Sequence, residues 1–144
     1  MMKAFGFSRG LFFFFFAIAM GFCPSISAQS RIDSLMSNCN NAWRYGLLVP
    51  NTWQECYQAL ACTYSSQLSE FAEMSEEEAL TNGFVSGYRR TRTVWKTTLG
   101  PDLEAWFERN EVFSSSYQNS VVLLLFHRFL NNVPADPVVV AEQL

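Results

Sequence analysis

His127 is the only imidazole in the chain, and Arg128 follows it. Outside the first 28 residues the thiols are Cys39, Cys56 and Cys62. Glu76-Glu77-Glu78 sets three carboxylates side by side, with Glu70 and Glu73 close before them. Tyr88-Arg89-Arg90-Thr91-Arg92 is the one basic cluster. These residue types could serve nucleophilic catalysis, metal ligation, acid–base work or charge recognition. Most of that chemistry lacks its remaining parts. A Ser/His/Asp hydrolase would have to use His127, yet no G-x-S-x-G elbow occurs. Cys/His catalysis would need His127 beside Cys56, with no motif in support. His127 reads instead as a partly exposed helix residue. No phosphate loop, dinucleotide fingerprint or H-E-x-x-H is present, and the cysteine spacing fits no zinc pattern. The reading is a non-enzyme with no cofactor and no metal.

The charged clusters suit binding better. Glu76, Glu77 and Glu78 fall in the first turn of a helix, where negative charge complements the macrodipole. Arg89 and Arg92 share a helix face, and Arg90 lies about 100° away. Each cluster is either a solvated face or a contact for a partner protein. The partner-binding candidates are therefore Glu76, Glu77, Glu78, Arg89, Arg90 and Arg92.

Helices must position these groups. Ile32, Leu35, Met36, Cys39, Trp43 and Leu47 recur at three- and four-residue steps, the apolar face of a first helix. Ser30 and Asp33 resemble its capping box, and Val49-Pro50-Asn51 stops it. Thr52 and Glu55 open a second helix, whose face continues through Trp53, Cys56, Tyr57, Leu60, Tyr64, Leu68 and Phe71. Cys56 and Cys62 are separated on it by a rise of about 9 Å, too far for a bridge. Two antiparallel helices turning near Pro50 place Cys39 opposite Cys62. The expectation is a Cys39–Cys62 interhelical disulfide, with Cys56 as a spare thiol, either buried or pairing between chains.

Ser75 and Glu78 cap a third helix, expected over 76–99 and ended by Gly100-Pro101. Gly83 and Gly87 inside it form a helix-packing motif, since each costs about 1 kcal/mol relative to Ala without a packing reason. Asp102 to Arg109 suggests a short turn of helix with Trp106 and Phe107 inward. Ser115 and Gln118 suggest the start of a fourth main helix, ended by Pro134 and Pro137 and apolar nearly all round at Val121 to Phe126. A strand over 121–126 is the alternative. Val138 to Leu144 is a last helical turn or a tail. The fold class is all-α, a compact bundle of four main helices with one interhelical disulfide.

The chain is compositionally two polymers. Eight of its 14 Phe lie in the first 28 residues, where Lys3 and Arg9 precede the apolar run Leu11 to Phe22. Pro24, Ser25, Ser27 and Ala28 follow. This is the layout of a secretory signal peptide over 1–28, cleaved after Ala28, with an uncleaved anchor as the alternative. The run is shorter than the roughly 20 residues of a membrane span. Phe22 before Cys23 argues against lipidation. A single domain, 29–144, would remain, periplasmic or secreted, with no stable membrane span after cleavage. It has 8 Lys and Arg against 13 Asp and Glu, so nucleic acid is not its partner.

Asn82-Gly83-Phe84-Val85-Ser86-Gly87-Tyr88 resembles the C-x-G-Y-I-x-G-V helix motif of the Rap/Tai immunity proteins. Val121 to Pro134, with Arg128-Phe129-Leu130, looks like that family's V-V-x-K-Y-L-x-x-x-P segment, and Ala141-Glu142 follows it. Leu35-x-x-x-Cys39 and the signal peptide also agree. Asn82 stands where the family has a cysteine, and Glu111-Val112-Phe113 replaces a Cys-x-Pro. The resemblance implies a small exported helical protein that plugs the cleft of a type VI secretion amidase, with or without forming a homodimer. Other readings are a periplasmic chaperone or stress-binding protein, or an envelope structural protein.

Overall fold

The computed structural model describes residues 27–81 and 99–144. Among them all regular structure is helical. The helices are α1 (Ala28–Ser37), α2 (Asn41–Arg44), α3 (Trp53–Thr63), α4 (Leu68–Glu73), α5 (Glu76–Thr81), α6 (Pro101–Arg109), α7 (Ser115–Leu130) and α8 (Pro137–Gln143). A 3-10 turn, Ser65–Gln67, joins α3 to α4. The all-α class holds, but four main helices is too coarse a count. The first expected helix breaks at Asn38 to Asn40. There the Asn38 amide donates to the Ser34 carbonyl (3.1 Å), and Asn40 caps α2 by accepting from the Trp43 N–H (3.0 Å). Short amides compete with the helix for backbone partners, which ends one helix and starts the next. The second expected helix breaks at Ser65-Ser66, two residues that favour turns and caps over helix interiors.

The helix starts are only partly where the Ser/Thr-x-x-acid pairs suggest. Thr52 and Glu55 form a reciprocal capping box on α3, and Ser75 with Glu78 does the same on α5. Ser30 with Asp33 does not. The cap of α1 is Ser27, whose hydroxyl accepts the Ser30 N–H at 3.3 Å. Asp33 instead accepts from the Gln29 side-chain amide at 2.7 Å.

The α7 helix is the centre of the core, and the strand alternative for 121–126 is overturned. Residues 121–127 are buried without interruption. A helix buried all round must be apolar all round, and α7 packs against α1, α3, α4, α5 and α8. Phe71, Phe107, Phe126, Leu60, Leu68, Leu123 and Leu130 are sealed from solvent. Tyr57 lies between Phe126 (5.7 Å) and Phe129 (4.8 Å) in stacked pairs. Trp53 meets the edges of Trp106 and Phe107 at 5.1 and 5.8 Å, geometries that add to area burial. At the other end α8 docks by Val140, which is fully buried, and by the Tyr117 hydroxyl, which donates to the Ala141 carbonyl.

Gly100-Pro101 opens α6, with Gly at the N-cap and Pro in the first turn. The glycine is required by close approach. A Cβ there would lie 2.6 Å from Asn51 Cβ. Asn51 Oδ1 accepts the Asp102 N–H at 2.8 Å, and its amide donates to the Asp102 carboxylate at 2.7 Å. The Gly100 N–H donates to the Pro50 carbonyl at 2.8 Å. The Pro50-Asn51 turn therefore caps a helix that lies 51 residues further along the chain.

Candidate functional site

The Cys39–Cys62 disulfide is present, with Cα atoms 5.4 Å apart. Cys39 lies just beyond α1 and Cys62 is in α3, so the bridge fixes the joint between α1 and α2 against α3. The Gln58 amide lies across the joint and donates to the Leu35 carbonyl at 2.7 Å. Cys56 is 3% exposed. Beside it, burial pushes the Tyr57 phenol far above its usual range, and the proximity of Cys56 adds to the shift.

Immediately after the staple, α2 ends in a Schellman turn. Gly46 takes φ 65°, the Gly46 N–H donates to the Trp43 carbonyl (3.1 Å), and the Leu47 N–H donates to Ala42 (2.8 Å). The chain that leaves it exposes four large apolar residues within five positions. Tyr45 is 69% exposed, Leu47 73%, Leu48 41% and Val49 49%. Pro50 is buried and bonded to Gly100. This ribbon is therefore pinned at both ends, by the disulfide and by the Pro50-Asn51 turn. Leu47 was expected on the apolar face of the first helix. The Gly46 turn reverses the chain before the period reaches it, so the side chain stands in solvent.

Of the acidic shoulder Glu76-Glu77-Glu78, two side chains are engaged within the molecule. Arg128 grips Glu76 with two parallel bonds, Nε to Oε1 at 2.7 Å and Nη2 to Oε2 at 2.9 Å. That fork clamps α5 to α7. The Arg128 hydrogen bond holds the Glu76 carboxyl below its usual value, against a smaller desolvation effect, and Glu76 raises Arg128 in return. Glu78 accepts from the Ser75 N–H and hydroxyl, both at 2.8 Å, and these bonds lower its carboxyl too. Glu77 is exposed, and its backbone carbonyl accepts from Thr81. Arg89, Arg90 and Arg92, like Gly83 and Gly87, lie outside the described residues.

His127 is buried at 6% exposure, not partly exposed as expected. Its position in the unbroken run of α7 puts it under α4 and α5. Nε2 lies 2.8 Å from the Met74 carbonyl, so that nitrogen carries the proton. The ring meets the Phe71 ring edge to face at 5.5 Å. A concave pocket of about 400 Å³ lies here, lined in part by Gln29, Ile32, Glu73, Met74, His127 and Asn131. Among the described residues no three of His, Cys, Asp and Glu are placed to hold a metal ion. No helix among them is long and apolar enough to cross a membrane.

Fold and surface together define the class, an all-α domain with one disulfide staple and an apolar ribbon presented beside it. Protein-family models, curated proteins and solved structures yield no match to the chain.

Proposed function

We propose that the protein is an exported inhibitor that works by binding another protein, acting as a periplasmic immunity protein against a peptidoglycan-cleaving amidase of a type VI secretion system. The observation that carries binding is the ribbon Tyr45 to Val49. Contiguous apolar exposure of this kind marks interaction sites. Both its ends are anchored, so little ordering entropy opposes docking. The motif similarity at 82–88 and 121–134 carries the choice of partner. Inhibition is steric: Tyr45 and Leu47 enter the mouth of the enzyme's cleft and the helical body behind them blocks substrate. The inhibitor does no bond-making chemistry of its own.

The disulfide suits an oxidising compartment. A covalent envelope dimer through Cys56 is disfavoured by the burial of that thiol. A chaperone would also use the ribbon, but on many unfolded clients.

The test is capture on oxidised 29–144 from the envelope and secreted fractions of its own organism. The captured enzyme is then assayed for peptidoglycan hydrolysis. The expected outcome is one dominant amidase, inhibited at equimolar protein and released by Leu47→Ser. A broad set of unfolded clients would establish the chaperone instead. Self-association abolished by the same substitution would assign the ribbon to a homodimer.

A further inference from the structure

We propose that Gln29 is a modification site, and that the exported protein carries a pyroglutamate there in place of a free amino terminus. The inference rests on cleavage after Ala28, the signal-peptide reading, and on no claim about the partner. Cleavage at that bond makes Gln29 the first residue, with an α-amino group and a carboxamide on one residue. The neutral amine attacks its own Cδ. A new N–Cδ bond closes a five-membered lactam and the Cδ–Nε2 bond breaks. The amine proton passes to the departing nitrogen, which leaves as ammonia. Nothing is oxidised or reduced, and no co-reactant is needed.

Two features favour this at Gln29. First, Gln29 is exposed and its carboxamide nitrogen lies 2.7 Å from Asp33 Oδ1. The atom that must depart already faces a carboxylate, which stabilises the positive charge that develops as ammonia leaves. Asp33 is thus a positioning residue. Second, the new terminus falls in the first turn of α1. A free ammonium would there oppose the positive end of the helix dipole. The lactam removes that charge. A feature opposing ring closure is Glu73, which lines the same pocket as Gln29 and would pair with an unreacted ammonium.

The test is mass spectrometry of the amino-terminal peptide of the full-length protein after export. The expected peptide begins at Gln29, is lighter by one ammonia, and resists amine-labelling reagents. Asp33→Asn should slow accumulation of the lactam severalfold in purified, freshly processed protein. Glu73→Gln should speed it. A terminus at Gln29 that keeps its reactive amine indefinitely overturns the proposal while leaving the cleavage reading intact. A terminus elsewhere, or an uncleaved chain, overturns both. Gln29→Ala, which cannot cyclise, must retain its amine and controls for blocking by any other chemistry.

Discussion

The acidic shoulder at 75–78 and the apolar ribbon at 45–49 are opposites in how they spend their side chains. The shoulder carries the charge that draws attention in the sequence, yet Glu76 is taken by Arg128 and Glu78 by Ser75. The ribbon carries no charge, yet its large side chains stand 41% to 73% exposed. Charge density on a small helical domain thus reports mostly on capping and helix-to-helix clamping. Apolar residues left in solvent on a pinned segment are the stronger mark of an interface.

Four variants break or sharpen that contrast. The largest effect belongs to Cys39→Ser with Cys62→Ser, removing a bridge that spans 23 residues of sequence. Denaturant unfolding should show a loss of about 3 kcal/mol. Partner affinity should fall further than stability explains, because the ribbon loses one anchor. Asn51→Ala comes next. It removes two side-chain bonds to the start of α6, and a loss of about 1 kcal/mol in the same unfolding experiment is expected. That effect should vanish in a Gly100→Ala background, where the turn has already been pushed off the helix.

Arg128→Gln should cost about 0.5 kcal/mol at neutral pH, since the Glu76 side chain is 44% exposed and solvent screens the pair. Its signature is in acid. Glu76 and Glu78 are both held below their ordinary value of 4.5 in the folded protein. Stability from a depressed carboxyl is complete above the unfolded-state value and is lost as pH falls through the folded one. The wild type should therefore lose stability on acidification below 4.5, and Arg128→Gln should remove the share of Glu76 while leaving that of Glu78. Thermal unfolding from pH 7 to pH 3 reads the difference. The smallest stability effect is expected at the ribbon. Tyr45→Ser with Leu47→Ser should leave the unfolding midpoint within about 0.5 kcal/mol of wild type, and complex formation should be lost. A large drop in stability would mean that the ribbon is structural.

Much of the scaffold was legible because its signals are local or strictly periodic. Thr52 with Glu55, and Ser75 with Glu78, mark their helix starts by a side-chain geometry that needs only four residues. The disulfide followed from equal distances about Pro50. The apolar centre of α7 announced itself by having no polar face. Other features depend on contacts that no short window contains. Asn51 caps a helix that begins at Pro101, and nothing near Asn51 says so. His127 lies beside Arg128 in sequence, but the helix turns one side chain into the core and the other toward Glu76. The ribbon was misread for a simpler reason: the three- and four-residue steps run through Gly46 to Leu47. A glycine four before a proline was the available signal that the helix had already stopped.

The buried position of Cys56 also bears on time as well as place. Cys39, Cys56 and Cys62 allow three pairings, and the folded protein holds the one between Cys39 and Cys62. A wrong pairing is corrected by attack of a thiolate on a disulfide sulfur, which needs an ionised and accessible thiol. Cys56 is the thiol within the described fold that could supply one. Once the core closes, the same residue is 3% exposed and exchange stops. Burial of the third thiol thus removes from the folded protein the neighbour best placed to attack the native pairing.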